Sequence, residues 1–217
     1  KDGYSLLSLD YSQIELRLLA HFSEDVALVE AFKSGKDIHA QSAINIFGES
    51  NEQNRAIAKS INFGLIYGMG VNKLSANLDI DKKAAKEYIT RYFNAFSGVQ
   101  DYLQSIKDSA KRDGFVETLL SRRRYFDFSN ASAMQVAMYE REAVNTKFQG
   151  SAADIIKLAM IKVFERLKKE LPTASLILQV HDELIVECDE KDSDTACKIL
   201  KEEMEAAANL AVPLTVD

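Results

Sequence analysis

The chain has 217 residues, 47% of them hydrophobic, and a formal net charge of −6. That apolar content supports a packed core and excludes disorder, and the acidic balance argues against a generic polyanion binder. No apolar run approaches the ~20 residues that span a bilayer, because the richest stretch, Ala152 to Leu171, is interrupted by Asp154, Lys157 and Lys162.

YSLLSLDY, Tyr4 to Tyr11, reads as a short strand. Ser12 then opens a helix, since SQIE has the Ser-x-x-Glu spacing of a capping box. A second helix starts after Ser23 and stops at Gly35. NRAIAKSINFGLIYG begins as helix and ends in a glycine cluster, Gly64, Gly68 and Gly70. Asp81 caps a further helix running to about Gly98, and one more ends near Gly114. FVETLLSRRRYF reads as a hairpin or loop with a basic tip. Helices dominate from about Ala131 to Leu171, with a break at Gly150, and Pro172 closes that stretch. Leu176 to Val180 and Leu184 to Cys188 are two strands with a tight connection. A last helix covers roughly Ser193 to Asn209, and VPLTVD reads as a final strand. Strands at both ends with helices between predict an α+β fold: one antiparallel sheet carrying a helical insertion.

The two cysteines, Cys188 and Cys197, form no motif and point to a reducing compartment. The chain opens with neither a Met nor a signal peptide, so it reads as a fragment.

Three constellations can carry chemistry. Asp10 ends an apolar strand, and Asp182 and Glu183 interrupt the apolar run ILQVHDELIV. Neighbouring strands would bring these carboxylates together as oxygen ligands for Mg²⁺, the arrangement that clamps a phosphoryl transfer. A polar turn plus an aspartate at a strand end is the alternative. Arg55, Lys59, Phe63 and Tyr67 are spaced by four, which gives one helical stripe, basic then aromatic. It can hold a triphosphate and stack a base, or be an ordinary helix with solvated cations and core aromatics. Arg141, Asn145 and Gln149 form a second such stripe, either a nucleic-acid contact or a solvated face. Arg122, Arg123 and Arg124 can touch phosphates or form a charged loop tip. His21 and His39 lack a second ligand at helical spacing, which argues against zinc.

DYSQIELR (10–17), RAIAKSINFGLIYG (55–68) and QVHDE (179–183) together resemble the three motifs of family A DNA polymerases, bacterial DNA polymerase I branch. QGSAADIIK (149–157) is also typical, and the resemblance covers essentially the whole chain in the right order. It implies a partial polymerase palm with an antiparallel sheet, residues 1–20 and 131–217, and a mainly helical fingers insertion, residues 21–130. It also implies template-directed DNA synthesis, with dNTP and primer–template DNA as partners, by a monomer in the cytoplasm at the bacterial nucleoid.

Residue roles follow from the resemblance. Asp10, Asp182 and the Tyr11 carbonyl would hold two Mg²⁺ ions. Arg55, Lys59 and His39 would bind the triphosphate with Gln13 nearby, Lys59 also serving the chemistry. Phe63 would lie against base and sugar, and Tyr67 and Glu15 would guard the 2′ position. Arg141, Asn145, Gln149 and His181 would contact primer and template. Successive strand residues face opposite ways, so Asp182, opposite Asp10, is the expected ligand, and Glu183 supports catalysis through water. The thumb, the first half of the palm, exonuclease domains and a short tail fall outside this sequence, so the fragment alone is expected to be weak or inactive. A metal-dependent nuclease and a non-catalytic nucleic-acid-binding remnant are the other readings. The first does not need the Arg55–Tyr67 stripe, and the second would have lost Asp10 or Asp182.

Overall fold

The computed structural model describes residues 2–217; Lys1, the first residue of the expected opening palm segment, lies outside them. β1 (Tyr4–Asp10) is followed by α1 (Ile14–Ser23), α2 (Val26–Lys33), α3 (Ile38–Phe47), α4 (Glu52–Ile66), α5 (Val71–Leu78), α6 (Lys82–Ala95) and α7 (Ser97–Asp113). A small hairpin, β2 (Phe115–Glu117) and β3 (Arg123–Tyr125), leads into α8 (Ala133–Glu170). β4 (Ser175–Val180), β5 (Glu183–Asp189) and α9 (Ser193–Glu205) follow. The fold is α+β, as the order of elements predicts.

Short polar side chains start most of the helices. Asp25, Asp37, Asn51 and Asp81 each accept a hydrogen bond from a first-turn N–H. That satisfies donors the helix itself cannot pair. Ser132 and Gln135 form a reciprocal capping box for α8.

β1, β5 and β4 make one antiparallel sheet in that order. β5 alternates strictly, with Leu184, Val186 and Cys188 buried and the residues between them half-buried. Period-two burial is the mark of a sheet covered on one face, and α8 and α9 supply the cover. α1 and α7 pack along α8, while α3 and α4 pack on each other and α3 also packs on α6. No helix among the described residues is long and apolar enough to cross a membrane.

Three expectations are corrected. Ser12 does not cap α1: Gln13 stands at the N-cap with φ 55° and no side-chain cap bond. Ser12 instead donates its N–H to the Thr215 carbonyl at 2.9 Å. α8 runs unbroken through Gly150. A mid-helix glycine costs about 1 kcal/mol against alanine, yet a Cβ here would sit 2.6 Å from Thr118 Cγ2, so only glycine lets the β2 end pack this closely. VPLTVD is not a strand of the sheet; it runs beside the end of β1, with the isolated bridge Tyr11↔Val216 flanked by backbone hydrogen bonds between Asp10 and Asp217 and from Ser12 to Thr215. α3 and α5 have no counterpart in the sequence reading.

That last segment is fastened by Arg17, which is 8% exposed. Its Nε donates to the Ser12 carbonyl at 2.7 Å, Nη1 to the Pro213 carbonyl at 2.6 Å and Nη2 to Thr215 Oγ1 at 2.6 Å. The guanidinium also lies 4.8 Å from the Phe32 ring centre. Truncation would leave these acceptors buried and unpaired. Arg17→Ala is expected to lower stability by about 3 kcal/mol, read from the denaturation midpoint. A midpoint that does not shift would show that the segment is held by its backbone pairing alone.

Candidate active site

Asp10 ends β1 between two neighbours. On one side its N–H and carbonyl pair with the Asp217 carbonyl and N–H, each at 3.0 Å. On the other, Tyr11 N–H reaches the Asp182 carbonyl at 3.2 Å. β4 and β5 are joined by the tight turn His181–Asp182, with Val180 opposite Glu183. His181 turns there at φ 51°, the left-handed region that costs a side-chain-bearing residue about 1–2 kcal/mol. The strained turn swings Asp182 out of the ladder and into the cleft beside Asp10.

This register sharpens the expected pairing. The residue opposite Asp10 across the ladder is Glu183, not Asp182. Glu183 is engaged by the Ser8 hydroxyl and does not line the cleft.

Neither Asp10 nor Asp182 has an ion-pair or side-chain hydrogen-bond partner among the described residues. Burial, and then the neighbouring Asp10, push the Asp182 carboxyl up from its usual range. Mutual repulsion of this kind is what a cation between the two would relieve. Their carboxylates offer oxygen donors, which suit a hard divalent cation. No cluster of three or more His, Cys, Asp or Glu side chains stands ready for a metal among the described residues.

The facing wall is α4. Arg55, Lys59, Phe63 and Tyr67 all line the same open cleft, of about 720 Å³, as Asp10 and Asp182. Asp37, the N-cap of α3, holds Arg55 Nε at 2.6 Å. Both partners are exposed enough for this pair to add little stability, so its effect is to aim the guanidinium. Lys59 makes no ion pair among the described residues. Tyr67 stands one residue past the end of α4, where its hydroxyl donates to the Glu15 carboxylate. Burial and that carboxylate push the phenol up to about 12. Burial also raises Glu15, while the Tyr67 hydrogen bond lowers it. Glu15, in the first turn of α1, thus lines the cleft with its carboxylate bound to Tyr67 and makes no capping-box bond. Gln13, His39, Gln149 and His181 also line it.

The family model described as DNA polymerase family A matches residues 1–217. The chain belongs to DNA polymerase family A. DNA polymerase I of Geobacillus stearothermophilus is 48% identical over 217 residues, covering 98% of this chain and 25% of that protein. DNA polymerase I of Helicobacter pylori is 52% identical over 191 residues, covering 88% of this chain and 21% of that protein. The chain thus spans about a quarter of the length of these curated relatives. A solved POL domain of Pol1 from M. smegmatis, in complex with DNA primer-template and dNTP, is similar with a TM-score of 0.95 and 40% identity. That match covers 100% of this chain and 39% of the other.

The family A motifs converge on one place. DYSQIELR, the α4 stripe and QVHDE each contribute to the cleft, although they lie far apart in sequence. Arg141 and Asn145 do not line it. Arg141 packs against Gly68, where a Cβ would meet its Cγ at 3.0 Å and where φ is 70°. Asn145 lines a second hollow with Arg122, Arg123 and Arg124, and its Oδ1 is buried without a partner. Lys157 and Gln179 line the main cleft and were missed. Residues 141, 145, 149, 153 and 157 continue one i+4 row. That row was legible once α8 was taken as unbroken.

Proposed function

We propose that this chain is the nucleotidyl-transfer core of a template-directed DNA polymerase, with residues 1–20 and 131–217 as palm and 21–130 as fingers. The observation that carries the reading is one cleft with a carboxylate pair on one wall and the Arg55–Lys59–Phe63–Tyr67 row on the other. A nuclease needs the first wall and has no use for the second.

Asp10, Asp182 and the Tyr11 carbonyl hold two Mg²⁺ ions, which when bound lower the pKa of the primer 3′-hydroxyl and offset charge on the pyrophosphate. Arg55 and Lys59 donate to the incoming triphosphate, and His39 and Gln13 add further donors. Phe63 lies against base and sugar. Tyr67 and Glu15 close the space beside the 2′ carbon. Arg141, Asn145, Gln149 and His181 meet primer and template, the first three from one face of α8. Glu183, held by Ser8 behind the hairpin, acts on Asp182 through the turn and through water. Primer–template DNA and dNTP are the partners of a monomer working at the nucleoid.

The test is primer extension by the full-length protein with a primed template, four dNTPs and Mg²⁺. Template-directed elongation is the expected result. Primer shortening with no elongation at any dNTP concentration would favour the nuclease and overturn this reading.

A further inference from the structure

His39 is 2% exposed, Asn62 is 1% exposed and Ser42 is fully buried, and the three form a chain across α3 and α4. Asn62 Nδ2 lies 2.9 Å from His39 Nδ1, and Ser42 Oγ lies 3.0 Å from Asn62 Oδ1. Ser42 Oγ is also 2.8 Å from the Ile38 carbonyl. The hydroxyl has one proton for two acceptors, and that choice sets the state of the imidazole. With Ser42 donating to Asn62 Oδ1, the amide N–H must point at Nδ1, which then carries no proton. The ring's proton goes to Nε2, which has no protein partner among the described residues and opens on the cleft. With the amide turned over, Nδ1 would carry the proton and present a bare Nε2 lone pair to whatever enters.

We infer that Asn62 and Ser42 are positioning residues that hold His39 as the neutral Nε2–H tautomer, a fixed, uncharged donor to a nucleotide phosphate. This rests on the reading of the cleft as a triphosphate site. The groups facing His39 agree with it. Burial, offset by Asp37 at the start of α3 and reinforced by Arg55 and Lys59 on α4, brings the imidazole down to about 4. From α2, Glu30 and Lys33 are exposed, and from α6, Arg91 and Glu87 sit at the Ile46 end of α3. A neutral ring avoids burying a charge next to the exposed cations Arg55 and Lys59, yet still supplies a hydrogen bond.

The experiment has two arms on the full-length protein. In the first, ring-¹⁵N spectra of histidine-labelled protein, with His39 assigned by its loss in His39→Ala, should show a neutral ring protonated on Nε2 between pH 6 and pH 9. In the second, nucleotide KM is followed against pH. His39→Ala and Asn62→Leu should each raise KM about tenfold with kcat little changed, the pattern of lost uniform binding. Asn62→Asp offers a carboxylate to Nδ1–H and should raise the imidazole pKa, so KM should fall as pH drops below about 7. The unsubstituted protein should show no such inflection. A His39 ring protonated on Nδ1, or doubly protonated, overturns the inference, and this arm stands even where an Asn62 variant fails to fold. A flat KM profile in folded Asn62→Asp also overturns it. A KM unchanged in His39→Ala instead removes the triphosphate reading, and the inference with it.

Discussion

Asp10→Ala or Asp182→Ala in the full-length protein is expected to cut primer extension by about 10³-fold or more, with primer–template affinity little changed. The size follows from the several kcal/mol that metal-held charge contributes to phosphoryl transfer, at about 1.4 kcal/mol per tenfold. Activity alone does not separate this from unfolding, but stability does. Burial and Asp10 raise the Asp182 carboxyl on folding. A carboxyl raised on folding costs stability once pH exceeds its unfolded value, and the cost disappears as pH falls below it. Removing either partner therefore leaves stability at neutral pH unchanged or slightly higher. Asp182→Asn, which keeps shape and loses charge, should behave like the alanine variant. The measurements are single-turnover extension and a denaturation midpoint. Extension at the unsubstituted rate in either alanine variant would remove the carboxylates from the reaction.

Glu15→Ala is expected to admit ribonucleotides. The Glu15 carboxylate and the Tyr67 hydroxyl join the first turn of α1 to the residue that ends α4, and both line the cleft. A phenol at about 12 stays protonated through the working pH range and so remains a donor to Glu15. The pair is thus a closed polar wall with little reason to open. Deleting its carboxylate leaves a gap about the size of one hydroxyl, and the ratio of kcat/KM for deoxy- over ribonucleotide should fall about 10²-fold. Glu15→Gln keeps the bulk and can still accept from Tyr67, so it should retain most of the discrimination. This contrast separates size from charge. An unmoved ratio in Glu15→Ala would place sugar selection elsewhere.

Much of the fold was legible because its signals are local. Period two marks β5, and Asp81 marks the start of α6. Where reading failed, a distant partner decided the matter. Ser12 has the spacing of a capping residue, but the Thr215 carbonyl takes its N–H and Tyr67 takes Glu15. Gly150 looks like a helix end, but Thr118 needs the missing Cβ. Asp182 looked like the residue facing Asp10, but a left-handed His181 puts Glu183 in that register. The residue types of the cleft could be read from motifs. Their supports, Asp37 behind Arg55 and Asn62 behind His39, could not, because each is an ordinary polar residue until the helices pack.

The continuity of α8 has one more consequence. Its 38 residues form a rod about 57 Å long. From Arg141 to Gln149 it advances about 12 Å, and from Arg141 to Lys157 about 24 Å. The first span is about three to four base-pair steps of a duplex at ~3.4 Å each. A rod without a joint acts as a ruler: distances along it are set once, at 1.5 Å per residue. One residue inserted near Gly150 would rotate everything beyond it by about 100°. No loop lies between the two ends to absorb the error, so length here is as constrained as residue identity.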